Sequence, residues 1–389
     1  NPSSIDEVIL LSSISISSLF LTSLIVKKFF INYKNLYLRG KNKIYKFNLS
    51  KNKIFIILSV FVLSFIIFHL MNLYFSIYQK GIVYEGNLNK IIYNFYIWLL
   101  KIGIPVFISI IIYLLLISKN YKFKLKAIYL SFFESSISSI CQLSRAMIFV
   151  PFSLIFGIFK FNQFEKKIFC TQDFIKSFIF LSIFFFVSFF ITSELRYKFY
   201  NLEEIVKKEK NYSENKILNS MSNFIYLIGN RWVGIEGVMS TQSLKKKNFN
   251  FFKKSFSEKY DYSDTFYATE VKQTNFHNKY DKINNYLSDT ELKHISIFTP
   301  GIIGFLYYSG SFIFVFLCLS MIFVFCLFIE IMAFKFSKNN FVFTSLTCNS
   351  LAYHLSHFGY MPQNSYKIIL GVFLSILMVM IINKIINKV

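Results

Sequence analysis

Apolar residues in this chain come in long uninterrupted blocks separated by short, lysine-rich stretches. A hydrocarbon core of about 30 Å takes about 20 residues of helix to cross. Blocks at 8–26, 54–78, 97–118, 177–194, 312–333, 341–357 and 367–383 each read as one membrane span. The block 127–159 is too long for a single span and contains Glu134 and Arg145. It reads as a hairpin, 127–145 followed by a short returning 146–159, in preference to one tilted helix. The expected fold is all-α: a polytopic integral membrane bundle of about nine spans with one large extracytoplasmic loop. The chain divides into an N-terminal bundle (1–194), the loop (195–297) and a C-terminal bundle (298–389).

Charge orients these spans. The stretch from Lys27 to Lys53 contains nine basic residues and no acidic one, so it belongs in the cytoplasm, and Asp6 and Glu7 lie outside. Alternation then puts Lys119–Lys126, Lys160–Lys176, Lys335, Lys338, Lys384 and Lys388 inside as well. In the span 97–118, Trp98 suits the outer interface, Lys101 reaches back towards it, and Pro105 is expected to kink the helix. The 195–297 loop is basic yet falls outside, because long segments are largely exempt from the positive-inside bias. The chain opens on Asn rather than Met, so preceding residues are expected.

Composition agrees. The chain has 54% hydrophobic and 16% charged residues against about 25% charged in soluble proteins. Its net charge of +23 sits in loops facing anionic lipid headgroups, which leaves no reason to invoke nucleic acid. Five scattered cysteines include no CxxC pair, so neither a disulfide framework nor a zinc site is indicated.

Basic charge is supplied almost wholly by lysine; the arginines are Arg39, Arg145, Arg196 and Arg231. Lysine replaces arginine as a point charge but not as a planar fork on phosphate or carboxylate, so these positions are the first to examine for chemistry. Arg145, Arg196 and Arg231 fall on the outer side. In 229-GNRWVGIEGVMS-240, Arg231 offers an anion clamp, Trp232 a stacking face for a sugar ring and Glu236 a carboxylate. The plainer reading is an interfacial amphipathic helix with an internal Arg–Glu pair. In 351-LAYHLSHFGYMPQ-363, His354 and His357 lie one helical turn apart. An imidazole there can take a proton from a sugar hydroxyl, with Tyr360 and Gln363 assisting, or simply bond a neighbouring helix. Glu134 and Arg145, in a serine-rich span, are expected to face a partner or a polar cavity. His69, His277 and His294 have no supporting constellation, and no P-loop, DxD motif or Ser/His/Asp arrangement occurs.

The segments FESSISSICQLSRAMIF, RWVGIEG, TPGIIGFLYYSGS and LAYHLSHFGYMPQ, with the late outer loop, resemble those of bacterial O-antigen and exopolysaccharide polymerases, relatives of the O-antigen ligases. The resemblance covers most of 120–366. It implies metal-independent, cofactor-free glycosyl transfer on the periplasmic side of the bacterial inner membrane. The partners implied are an undecaprenyl-diphosphate-linked oligosaccharide, membrane lipids and a chain-length regulator protein. On that resemblance Arg231, with Arg145 and Arg196, holds the diphosphate, and His354 or His357 stands loosely where a ligase has its catalytic histidine. The competing readings are a glycan flippase or solute carrier, and a scaffold of an envelope complex.

The topology predicts that single cysteines at 40 and 121 in a cysteine-free background label only after membrane permeabilisation, whereas one at 270 labels in intact cells. The reverse pattern at 270 would invert the second half of the chain.

Overall fold

The computed structural model describes residues 2–29, 51–79, 86–117, 124–144, 149–164, 169–199, 235–242, 244, 246–256, 301–356 and 362–386. Among the described residues every regular element is helical. In chain order these are α1 (Pro2–Phe29), α2 (Lys51–Phe75), α3 (Lys90–Trp98), a π-helical turn (Leu99–Gly103), α4 (Ile104–Ile117) and α5 (Lys124–Cys141). They continue as α6 (Phe149–Phe164), α7 (Thr171–Phe199), α8 (Ile235–Gln242), α9 (Phe249–Ser255), α10 (Ile302–Tyr307), α11 (Phe312–Phe336), α12 (Phe341–Ser356) and α13 (Pro362–Ile386).

Among the described residues, six helices are long and apolar enough to cross a membrane: Ile5–Lys28, Leu58–Phe75, Lys90–Leu116, Thr171–Arg196, Phe312–Phe336 and Ser365–Lys384. Each remaining segment expected to span is also helical, but α5, α6 and α12 fall short in length or apolar content. The 127–159 block is two helices, α5 and α6, rather than one.

Phe, Ile and other poor helix formers adopt helix here because lipid offers backbone amides and carbonyls no partner; a helix pairs them within its own segment. Polar side chains inside the spans obey the same demand. Ser15 donates to the Leu11 carbonyl (2.8 Å), Thr22 to that of Ser18 (2.6 Å) and Thr347 to that of Phe343 (2.9 Å). The outer faces are correspondingly greasy: Ile313, Leu317, Met321, Val324 and Phe328 of α11 are exposed.

At the centre stands α12, packed against α4, α6, α11 and α13, with Val342, Phe343 and Leu346 buried. It runs antiparallel to α6. The Ser345 hydroxyl donates to the Ser153 carbonyl (2.6 Å), Asn349 Nδ2 to the Phe149 carbonyl (3.2 Å), and the Phe164 and Phe341 rings stack 5.9 Å apart. Gly157 permits this approach: a Cβ there would lie 2.6 Å from Val342 Cα and 2.8 Å from the Phe341 carbonyl oxygen.

Contacts along the helices sort their ends into two groups. Val8 and Leu11 of α1 cluster with α8, α10 and the start of α11, while the far end of α11 meets α12 where Phe334 faces Phe341 at 5.2 Å. The end of α12 meets the start of α13 through His354 and Ser365. Trp98 Nε1 donates to the Gly371 carbonyl (3.2 Å), Gln142 Nε2 to that of Leu100 (3.3 Å) and Asn72 Nδ2 to that of Cys141 (2.8 Å). These bonds bring the ends of α2 and α5 to the same side. Helix α7 runs parallel to α5, its Phe180 ring 4.8 Å from that of Tyr129. One face, the cap end, therefore carries α8–α10, the close of α2, α5, α7 and α12, and the start of α1, α3, α11 and α13. The opposite, lysine end carries Lys28, Lys126, Lys176, Lys335, Lys338 and Lys384.

Pro105 acts through a wider turn. Its missing N–H and its ring disturb the ladder at the carbonyl four residues back, Lys101. Over Leu99–Gly103 the helix opens to π spacing, and the Ile104 amide donates to the Leu99 carbonyl.

Gly157→Ala is expected to force α6 and α12 apart, destabilising the protein by about 1–3 kcal/mol. A thermal melt of the full chain in detergent reads this, and an unchanged midpoint would show that the pair tolerates the added methyl.

Candidate functional site at the cap end

Asn72 organises the floor of the cap end. It is fully buried, and its Nδ2 donates to the Tyr78 and Cys141 carbonyls (2.9 and 2.8 Å), while Oδ1 accepts from the Tyr78 amide (2.8 Å). One side chain thus pairs three backbone groups at the close of α2 and α5, where Ser76 and Leu143 have left-handed φ of 49° and 50°. Such groups would otherwise be orphaned away from water.

Tyr78, held by this clamp, places its ring under the Lys101 ammonium, 4.4 Å from the centroid. Lys101 sits in the π turn, and its charge acts on His354 and, with that of Lys90, on Lys367. His354, half-buried in the last turns of α12, lies with Nε2 3.0 Å from Ser365 Oγ. Beside it, the Tyr353 ring lies 5.8 Å from that of Phe149 at the start of α6. The π turn, the close of α12 and the start of α13 thus put an imidazole, a hydroxyl and ammonium groups in one neighbourhood. That set can accept a proton and attract an anion.

The cap beside this cluster is built on aromatic packing. Phe252 touches Phe305 and Phe314 at 5.3 and 5.0 Å, and Phe251 meets Tyr308 at 5.3 Å. Lys247 ties α8 to α10. Its Nζ donates to the Gln242 carbonyl and Oε1 (2.7 and 2.8 Å) and lies 5.0 Å from the Tyr307 centroid. Burial pulls the Lys247 ammonium down and the Glu7 carboxylate opposes it; burial and then Glu7 push the Tyr307 phenol up. Gly310, at φ +70°, turns the chain against the Lys247 carbonyl, where a Cβ would come within 3.0 Å.

Among the residues expected from sequence to act, His354 takes its place in the cluster. Arg196 is half-buried near the end of α7, next to the buried Thr192 and Ser193. Glu236 and Gln363 lie on α8 and in the first turn of α13. Arg145, Arg231, Trp232, His357 and Tyr360 lie outside the described residues. Sequence reading passed over Asn72, Tyr78 and Ser365, and took Lys101 only as a snorkelling charge. It also left His69 without a partner; the structure sets its Nε2 3.5 Å from Glu134 Oε1. A lysine four residues before a span proline was the signal available for the π turn.

No family model, curated protein or solved structure matches the chain. Fold and site together define a polytopic helical membrane protein with a polar, partly cationic cluster at one end of its bundle.

Asn72→Leu removes the partners of two carbonyls and one amide and is expected to cost about 2–4 kcal/mol. The loss should appear as a lower melting midpoint of the full chain in detergent. A wild-type midpoint would mean that those groups find other partners.

Proposed function

We propose that the chain is a membrane glycosyltransferase that polymerises lipid-linked oligosaccharide repeat units at the outer face of a bacterial inner membrane. The donor is a glycan on undecaprenyl diphosphate, the acceptor is a second lipid-linked unit, and transfer needs no metal. What supports the reading is the hydrogen bond of His354 to Ser365 beside the Lys101 and Lys367 charges. It occurs at the end of the bundle that also receives Arg196 and the Glu236 helix.

In this reading α5, α6 and α12 also cross, making nine spans, and the cap end faces out. His354 Nε2 accepts the proton of the attacking sugar hydroxyl, exchanging its bond to Ser365 for one to substrate. Arg231, with Arg145 and Arg196, grips the departing diphosphate, and the Lys101 ammonium adds fixed positive charge. Fixed cations of this kind are the main catalytic resource where no metal serves.

A carrier for glycans or small solutes is the second reading. The buried His69–Glu134 pair favours it, because transporters place ionisable groups inside their bundles.

Under the polymerase reading, His354→Gln and Arg231→Lys each abolish long-chain polysaccharide, with the protein still reaching the membrane at wild-type levels. The His354 change alone is expected to cost about 10²–10⁴-fold in rate. A normal ladder of chain lengths from both variants would overturn the polymerase. A ladder of normal length but reduced amount would point to the carrier.

A further inference from the structure

The short helix α9 shows two kinds of side chain on its outside. Phe249 and Phe256 are 55% and 46% exposed, and Lys246 and Lys253 are exposed beside them. Both ends of the helix are closed. Asn248 Oδ1 accepts from the Phe251 amide at 2.8 Å, and the Phe256 amide donates to the Lys253 carbonyl at 3.2 Å. Phe249 and Phe256 stand two helical turns apart and so lie along one edge. Phe251, Phe252 and Ser255 make the face that packs inward, on Tyr308 and Phe305. Lys253 comes one turn after Phe249, on the side of the aromatic edge away from that packed face. Around the helix the order is therefore packed face, aromatic edge, charge. A helix lying along a bilayer surface has that order, with its rings at the acyl boundary and its lysines at the headgroups.

The packing sets α9 at the height of such a surface. Its aromatic edge abuts the first turn of the span α11, where the Phe249 and Phe314 rings lie 4.9 Å apart. The neighbouring Ile313 is 73% exposed on the face that α11 turns to lipid. Gly310, just before α11, closes on the Lys247 carbonyl, where a Cβ would come within 3.0 Å. The residues leading into α9 are thus pinned to the point where the span begins. Tyr74 at the close of α2 and Tyr366 at the start of α13 are strongly exposed at this same end, as tyrosines are at the headgroup level. The charge is all of one sign. From 245 to 254 the chain has Lys245, Lys246, Lys247, Lys253 and Lys254 and no acidic residue. Lys247 turns inward onto Gln242 and Tyr307, whereas Lys246 and Lys253 remain outside.

We propose that α9 is an interfacial anchor for anionic phospholipid. Phe249 and Phe256 enter the acyl boundary beside α11, and the Lys246 and Lys253 ammonium groups hold lipid phosphates of the same leaflet. A second copy of the chain fits this surface poorly, because a two-fold contact would set lysines against lysines. Two rings continuous with a lipid-facing span also offer a protein partner no enclosed pocket. Phe252 touches both exposed rings and Phe305 of α10, so the anchor fixes the height of the whole cap over the bilayer. This anchoring is independent of the glycan chemistry.

The lipid composition next to α9 tests this on the full chain, read by a bimane fluorophore on Asn250→Cys in a cysteine-free background. The protein is reconstituted into vesicles of phosphatidylcholine and phosphatidylglycerol, with brominated, quenching acyl chains on one lipid or the other. Brominated phosphatidylglycerol should quench as a ligand at least about fivefold tighter than phosphatidylcholine, the factor one lysine contributes near an anionic surface. The preference should vanish in Lys246→Gln/Lys253→Gln and return with arginine at both positions. Phe249→Asn/Phe256→Asn should lower quenching by both lipids alike, because the helix then rises from the acyl boundary. Equal quenching by the two lipids around the native lysines would overturn the proposal. So would the absence of quenching, which leaves α9 in water or under another protein. Quenching that weakens as protein is crowded into the membrane would assign the surface to a second copy instead. A preference unchanged by the lysine pair would place the anionic lipid elsewhere on the bundle. The comparison of the two lipids alters none of the anchoring residues, so it decides the matter even where a variant fails to fold.

Discussion

Every backbone amide and carbonyl of this chain that enters lipid must find its partner inside the protein, and the rest of the architecture follows from that demand. It turns segments rich in Phe and Ile into helices and bends Ser15, Thr22 and Thr347 back onto their own carbonyls. It also explains the buried Asn72 and the half-buried Asn162. Asn72 closes the turn after α2 at the cap end, and Asn162 does the same between α6 and α7 at the lysine end. There Nδ2 donates to the Phe169 carbonyl at 3.2 Å and Oδ1 accepts from its amide at 3.0 Å. A primary amide carries both a donor and an acceptor, so one side chain satisfies both polarities where a helix stops short of water.

Packing in such a bundle cannot draw on the hydrophobic effect between spans, because lipid tails are as apolar as leucine. Close approach takes its place. Gly157 lets α6 lie directly on the Phe341–Val342 backbone, and Gly371 lets α13 receive the Trp98 ring, 3.0 Å from where a Cβ would stand. Serines 135, 138 and 139 of α5 are buried for the same reason. The cap is organised differently: its interlocked phenylalanines around α10 form a core of the kind a soluble domain has, seated on the membrane part through Val8 and Leu11.

Much of the fold was legible in the sequence. Block length marks spans with no knowledge of packing, and the hairpin at 127–159 followed from length and two charged residues. Helix ends were less legible: α7 extends to Phe199 and α3 begins at Lys90, because helices continue past the hydrocarbon boundary wherever capping allows. Of the site, His354 stood out by residue type, whereas Lys101 did not, since its importance depends on the π turn and on Tyr78, 23 residues earlier by no regular spacing. His69 was unreadable for a similar reason. A single histidine in an apolar run announces nothing until the helix bearing Glu134 is laid beside it.

A π turn is an α-helix that has taken in one additional residue. Each residue of an α-helix advances the azimuth by about 100°, so the extra one sets the α3 half of this long helix at a different angle from the α4 half. The exposed, partly polar α3 and the enclosed α4 can therefore each present their own best face, which a continuous α-helix would force into compromise. The length of the chain between Leu99 and Gly103 thus works as an angular adjustment for Trp98 and Lys101, one that evolution or an engineer could alter by a single codon without touching the helices on either side.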